Sequence, residues 1–346
     1  MISLCHNDLK LKERCSQLAK RYTSASSGFE RKYELYANIV EIAGRKIGIT
    51  SDGIGTKIEI AERAGIYDSL GFDLVAMVVD DLICNGIIPL TLSNILDVDY
   101  LNEDVVGQLM IGLAAAANQA NITISGGETA ELASRINGYG NKMHFNWCAT
   151  AIGYLPEESP GPILGEDLES GDVIITLKEY GFRSNGFTLI RKILNNNNND
   201  LNKYLLELLR PSIIYSPLIV KILYEKNINL KGIAHITGGS FANKLGRVLK
   251  NARRNVKGAY LSNLFAPTDL MIKIEELGFL SDDTAYSYFN MGNGMLLVTN
   301  KHDVDSILQI AKENNYEAQV AGEIINEPAI KIISKGYKPT LLNFTL

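Results

Sequence analysis

The sequence predicts a protein of two α/β domains, and three observations carry that prediction. The chain has 346 residues, 46% of them hydrophobic and 21% charged, which suits two cores of ordinary size better than one very large one. Strands alternate with helices through residues 45–155, the pattern of an α/β layer structure. The alternation restarts near residue 172, beyond PEESPGP (Pro156 to Pro162), a proline-rich charged stretch of the kind that separates domains. The expected division is therefore 1–160 and 170–346.

The first forty-odd residues read as a polar, helical start followed by SASSGFERKYELYANIV, a small-residue loop of the kind that orders when something binds. Arg45 to Thr50 reads as a strand, Ile58 to Ala64 as a short helix, and Phe72 to Asn85 as an apolar helix. Leu90 to Leu96 is a strand. Glu103 to Ala120 repeats apolar residues at helical spacing behind an acidic first turn, which suits a helix N-terminus. Asn121 to Ser125 and Met143 to Leu155 are further strands. In the second half, strands are expected at 172–177, 233–236 and 295–299, and helices from Gly186, Lys203, Phe241 and Val304. NNNNND, Asn195 to Asp200, is a solvated loop between two helices.

Composition excludes several functions. A net charge of −5 and scattered basic residues argue against nucleic-acid binding, which needs clustered Lys and Arg in excess. No run approaches the roughly 20 apolar residues that span a bilayer, and the opening MISLCHNDLKLKERC is too polar for a signal-peptide core. A cytoplasmic protein without a membrane partner is expected. Cys5, Cys15, Cys84 and Cys148 lack C-x-x-C spacing and read as reduced thiols, and the four histidines are too dispersed for a zinc site.

Chemistry concentrates in a few short stretches. SDGIGTK, Ser51 to Lys57, follows an apolar strand with a carboxylate, two glycines, a hydroxyl and an ammonium. Its order is wrong for a P-loop, and alone it would be an Asp-Gly turn. Asp80 and Asp81 sit side by side in an apolar helix, where an unpaired charge costs several kcal/mol. Adjacent helical positions diverge by about 100°, so one carboxylate faces inward, and Asp81 is the expected one. In SGGETAEL, Gly126 and Gly127 let a ligand approach the backbone, and Glu128 and Glu131 are expected three apart on one helical face. Three acidic clusters and one lysine are what a magnesium nucleotide requires, because Mg²⁺ bridges carboxylates to phosphates. Ser184-Asn185-Gly186 and Thr237-Gly238-Gly239-Ser240 place small residues at helix starts, where free N–H groups accept an anion. Ordinary N-capping would use the same residues.

Taken in order, SDGIGTK, DLVAMVVDDLICNGIIPL, GGETAE, SNGFTLIRKIL, AHITGG and FNMGNGM resemble the aminoimidazole ribonucleotide synthetase family, the phosphoribosylformylglycinamidine cyclo-ligases, from about residue 28 to about residue 325. The resemblance implies a homodimer whose N-terminal sheets join in a shared barrel, with ATP near that interface and a C-terminal α/β layer domain beside it. It implies ATP-dependent phosphorylation of the formyl amide oxygen of formylglycinamidine ribonucleotide, then ring closure with loss of phosphate, a step of purine synthesis. Carried over, Asp52, Lys57 and Asp81 would act in catalysis, and so would Arg183 in the place of a family residue. Asp52, Gly53, Gly55, Thr56, Lys57, Asp81, Gly126, Gly127 and Glu128 would hold ATP. Mg²⁺ would sit on Asp52, Asp81 and Glu128, and Ser184, Asn185, Gly186, Thr237, Gly238 and Gly239 would hold the ribonucleotide.

The departures fall mainly on the substrate side. Arg183 stands where the family has histidine, so a permanent cation able to clamp phosphate, but not to act as a general base, replaces an imidazole. Asn94 replaces an aspartate, a Gly-rich loop is reduced to Ser26-Ser27-Gly28-Phe29, and ENIPR becomes Ala242-Asn243-Lys244-Leu245-Gly246-Arg247. An ATP-using paralogue with another acceptor, and a nucleotide-binding dimer without turnover, remain the alternative readings.

Overall fold

The computed structural model describes residues 14–15, 35–196, 201–225 and 228–346. Residues 35–346 make one compact unit, and residues 1–34 group separately. The expected N-terminal helix, the small-residue loop through Glu34, Cys5 and the end of the asparagine run therefore lie outside the described residues.

The first layer is built from β1 (Asn38–Ile42), β2 (Arg45–Gly53), β3 (Ile88–Val98), β4 (Thr123–Glu131) and β5 (Phe145–Tyr154). They form one sheet in the order β1-β2-β5-β3-β4, antiparallel except for the parallel pair β3 and β4. Ala43 and Gly44 close the β1–β2 hairpin with φ of 52° and 77°, the left-handed values that a two-residue turn demands. Helices α1 (Ile58–Ala64), α2 (Ser69–Cys84) and α3 (Glu103–Ala120) complete this half. Where α2 crosses α3, Gly71 lies against the backbone of Gly112, and a Cβ on either would collide with main-chain atoms. The missing side chains let the two helices approach this closely.

The second half holds β6 (Val173–Lys178), α4 (Phe187–Asn196), α5 (Leu205–Leu208), α6 (Ser216–Val220), β7 (Leu230–His235), α7 (Ser240–Lys250) and β8 (Gly258–Leu261). It continues through α8 (Asp269–Gly278), α9 (Asp282–Tyr288), β9 (Asn293–Thr299), α10 (Val304–Glu313), β10 (Ala318–Ile325), β11 (Ala329–Ile333) and β12 (Leu341–Thr345). These strands form a seven-stranded sheet in the order β12-β11-β8-β10-β6-β9-β7. Strand β9, NGMLLVT, which pairs with β6 and with the edge strand β7, is buried along its whole length, as a strand covered on both faces must be.

Helix α2 joins the halves. It packs on β2 and β5 on one side and meets β7 and α6 on the other, so nearly every residue from Leu70 to Cys84 is buried. Ordinary amphipathic helices keep a wet face. This one has none, and its three aspartates are therefore forced into the interior or into a cleft.

SGGETAEL folds differently from the expectation. Residues 123–131 are strand β4, not the start of a helix. Parallel pairing with β3 from Thr91 to Val98 supplies the backbone hydrogen bonds that a helix would have made internally.

Candidate active site

Asp73 and Asp80 lie seven residues apart on α2, two turns along one face, and both are fully buried. Lys57 Nζ closes on Asp73 Oδ2 at 2.7 Å and donates to the Arg210 carbonyl at 2.8 Å. The SDGIGTK turn puts it there. Gly53 N–H is held by Asp52 Oδ1 at 2.7 Å, Ile54 N–H by the Trp147 carbonyl at 3.2 Å, and Gly55 turns with φ 66°. The chain then enters α1 with Lys57 beneath α2.

Asp80 Oδ1 accepts the N–H groups of Tyr215 and Ser216, both at 2.9 Å, while Oδ2 accepts Arg183 Nη2 at 3.0 Å. Arg183 Nη1 donates to Glu179 Oε2 at 2.8 Å and to the Ile213 carbonyl at 2.9 Å. Asp73 Oδ1 accepts both the N–H and the hydroxyl of Ser212, at 3.1 and 2.5 Å. Three carboxylates thus grip the segment Ser212–Ser216, and two cations neutralise them. One negative charge is left over, and burial pushes the Asp80 carboxyl up to about 7, against the opposing pull of Arg183.

Three expectations change here. Asp80, not Asp81, is the fully enclosed member of the pair, because the second half of the chain covers the helix face that would otherwise meet water. Arg183, expected as a phosphate clamp, is fully buried with φ 55° and spends its guanidinium on Asp80 and Glu179. Lys57, expected on the ATP phosphates, is likewise sealed in an ion pair.

Asp81 opens onto a second group. Its Oδ1 takes a 2.7 Å hydrogen bond from His235 Nδ1, at the end of β7. Burial and the Arg183 charge lower His235 to about 4, so the ring is neutral and donates through Nδ1. Burial alone would raise Asp81, but the His235 hydrogen bond with Lys244 and Arg247 outweighs it and holds the carboxylate below its usual range. Asp52, on the inner face of β2, lies within electrostatic reach of Asp81, and burial raises its carboxyl. Lys244 of α7 lies within the same reach of both.

The two small-residue helix starts converge. Gly238 lies so close to Asn185 that a Cβ there would stand 2.9 Å from Asn185 Oδ1. Gly239, with φ 80°, precedes α7, and Gly186, also at φ 80°, packs on Phe289 and precedes α4. Thr56 Oγ1 meets Thr188 Oγ1 at 3.3 Å, which brings the SDGIGTK turn to the first turn of α4. Ser184 Oγ, Asn185 Nδ2 and His235 Nε2 are buried atoms without a hydrogen-bond partner among the described residues.

Glu128 does not join Asp52 in one chain. Across the sheet Asp52 aligns with Ala149, Asn94 and Gly127, whereas Gly53 aligns with Cys148, Ile95 and Glu128. Cross-strand partners share a face and successive residues alternate, so Glu128 projects from the outer face and Asp52 from the inner one. Gly127 lies against Asn94, and Gly126, with φ 148°, meets open space. Among the described residues no three His, Cys, Asp or Glu side chains gather as a metal cage. Asn94 explains its own departure from aspartate: it accepts Trp147 Nε1–H at 3.0 Å and donates to the Gly126 carbonyl at 3.4 Å, and a carboxylate has no proton for the second bond.

His235, Lys244, Asp73 and Glu179 are missing from the residues expected in the sequence. Only His235 carried a signal, standing two residues before the Thr237 turn. Lys244 was noted only as part of a departure from ENIPR.

Two glycine-rich helix starts thus meet near the Asp81–His235 pair. The chain belongs to the AIR synthase related protein family, whose N-terminal domain model matches residues 36–154 and whose C-terminal domain model matches residues 169–335. A phosphoribosylformylglycinamidine cyclo-ligase from Methanocaldococcus jannaschii is 33% identical over 96% of this chain and 94% of its own. One from Sulfurisphaera tokodaii is 36% identical over 94% of this chain and 96% of its own. Among solved structures, ThiL complexed with AMPPCP and TMP shares the fold with a TM-score of 0.64 at 13% identity, covering 95% of both chains.

Proposed function

We propose that this chain is an ATP-dependent cyclo-ligase that converts formylglycinamidine ribonucleotide to aminoimidazole ribonucleotide, ADP and phosphate. The carrying observation is full-length similarity to cyclo-ligases from several archaea at 30–36% identity. The bound nucleotide supplies a phosphoryl group that turns the formyl amide oxygen into a leaving group. The amidine nitrogen of the same substrate then closes the ring. No covalent nucleophile is required of the protein, whose work is to hold the reacting atoms close and neutralise charge.

In this reading the ribonucleotide lies against Ser184, Asn185 and Gly186 and the Thr237–Gly239 turn. The unpartnered Ser184 hydroxyl and Asn185 amide support that assignment. Asp52 and Asp81 are the residues to hold Mg²⁺ with the triphosphate. Each commits one carboxylate oxygen, to Gly53 N–H and His235 respectively, and one or two carboxylates with phosphate oxygens are what this ion takes. His235 keeps Asp81 ionised and pointed into the cleft. Gly53, Gly55 and Thr56 line the nucleotide side, while Lys57 and Arg183 act through the positions of the SDGIGTK turn and of Ser184.

The reading includes a cytoplasmic homodimer formed through the outer face of the first sheet. Val40, Ile42, Ile95 and Ile152 all stand exposed there, at 40, 56, 47 and 39%, an apolar patch of the kind that marks association. Glu128 lies on that face beside Ile95, so a role for Glu128 at ATP would be played toward the partner copy, whereas Gly127 aligns with Asp52 on the inner face. No helix among the described residues is long and apolar enough to cross a membrane.

A coupled assay of ADP release tests the function. Release that depends on formylglycinamidine ribonucleotide supports it. Release only with another acceptor favours a paralogous kinase, and nucleotide binding without release favours a non-catalytic dimer.

A further inference from the structure

We propose that Lys244 is a further substrate-contacting residue of this cleft, an ammonium held ready for the dianion of a phosphate monoester. The inference deepens the cyclo-ligase reading and rests on it.

Among the described residues the buried cations Lys57 and Arg183, and the half-buried Lys231, close onto carboxylates. Lys57 does so at 2.7 Å, Arg183 at 3.0 and 2.8 Å, and Lys231 at 2.7 Å from Asp172. Lys244 does not. Asp52 and Asp81 lie within its electrostatic reach, yet among the described residues its Nζ makes no ion pair and no hydrogen bond. A lysine present only to neutralise that pair would close on one member, as Lys57 closes on Asp73. Lys244 is half-buried, and the three donors of its ammonium are left to solvent, which an arriving anion can displace.

The residue is also held in place. The Tyr36 hydroxyl donates to the backbone carbonyl of Lys244 at 2.7 Å, and the Tyr36 ring lies 5.5 Å from Nζ. Arg247, one turn further on α7, stacks on the same ring at 4.6 Å and donates to the Leu35 carbonyl at 2.9 Å. One cation on this helix face is thus spent on structure and its neighbour is unspent. Asn243 packs against Gly239, which fixes Lys244 relative to the helix start where Ser184 Oγ and Asn185 Nδ2 wait without partners. An unspent ammonium, an unspent amide, an unspent hydroxyl and a helix N-terminus together suit one oxygen-rich anion.

Two phosphates have this chemistry, the 5′-phosphate of the ribonucleotide and the phosphoryl group in transfer, and the full-length Lys244→Met enzyme separates them. Loss of a charged hydrogen bond corresponds to about a tenfold to hundredfold effect. If Lys244 holds the 5′-phosphate, KM for the ribonucleotide rises by that factor at nearly constant kcat. The calorimetric preference for ribonucleotide over its dephosphorylated ribonucleoside, measured without ATP, shrinks equally. If it holds the transferring group, kcat or KM for ATP changes by that factor and ribonucleotide binding does not. Lys244→Arg restores part of either effect, and Lys244→Gln, checked by its melting temperature, replaces the methionine variant should that one fail to fold. Binding constants and kcat within twofold of wild type, or a lowered melting temperature with unchanged KM and kcat, would overturn the inference. Should the wild-type enzyme release no ADP with the ribonucleotide, the cyclo-ligase reading fails first. Calorimetry with inorganic phosphate then decides the role of Lys244 alone: weakened binding in Lys244→Met supports it and unchanged binding refutes it.

Discussion

Two groups of charges lie along helix α2, and they are built on opposite plans. Around Asp73 and Asp80, every cation closes onto a carboxylate at 2.7–3.0 Å and no side chain is exposed. Around Asp52 and Asp81, carboxylate oxygens and an ammonium stand near one another without closing. Sealed charges fix the segment Ser212–Ser216 on the helix. Open charges remain available to a ligand. The contrast teaches that an acidic cluster read from a sequence divides, once folded, into parts that hold the structure and parts that face the chemistry, and that the cation beside each carboxylate decides which is which.

Breaking the sealed group should cost the most stability. Arg183→Met leaves Asp80 and Glu179 buried without their cation, and a denaturant titration should show a loss of about 3–5 kcal/mol. Arg183→His should fall in the same direction, since an imidazole cannot bridge both carboxylates at these distances. Lys57→Met comes next, at about 3 kcal/mol, because Ser212 still satisfies part of Asp73. If Lys57 instead bound phosphate, that variant would keep its stability and lose only turnover.

A smaller effect depends on pH. Burial raises Asp80 to about 7 in the folded protein, from an ordinary carboxyl value of 3.8. Between these values the folded state binds the proton that the unfolded state has released, so this stabilising contribution is present below pH 4 and is lost as pH rises through 7. Asp80→Asn cannot titrate. Its melting temperature relative to wild type should therefore improve steadily from pH 5 to pH 8, and a flat difference would place the leftover charge elsewhere.

Much of the fold was legible because its periodicities are strong. Ile58–Ala64 and Glu103–Ala120 form over the residues that their spacing indicates. Residues 123–131 were misread because a carboxylate pair three apart fits a helix face as well as a strand, and only pairing with β3 decides between them. That misreading carried Glu128 into a cluster from which strand alternation excludes it. The site was legible as a set of motifs and not as an arrangement. Asp81 meets His235 just before the Thr237–Gly239 turn, and that turn meets Asn185, whereas Lys57 and Arg183 are drawn away by Asp73 and Glu179, which no local pattern marks. His235 and Lys244 gain significance only from what lies across the cleft. The two family matches end and begin on either side of Pro156–Pro162, yet residues 35–346 pack as one unit because α2 is covered from both halves.

The most direct test of the division between sealed and open charges is Asp52→Asn. Asparagine retains the oxygen that accepts Gly53 N–H, so folding should be untouched while the charge facing the cleft is gone. The account predicts a melting temperature unchanged within about 2 °C, the range of neutral surface changes, together with a loss of at least about a hundredfold in ribonucleotide-dependent ADP release. Wild-type turnover in that variant, or a loss of turnover that only follows a loss of stability, would contradict it.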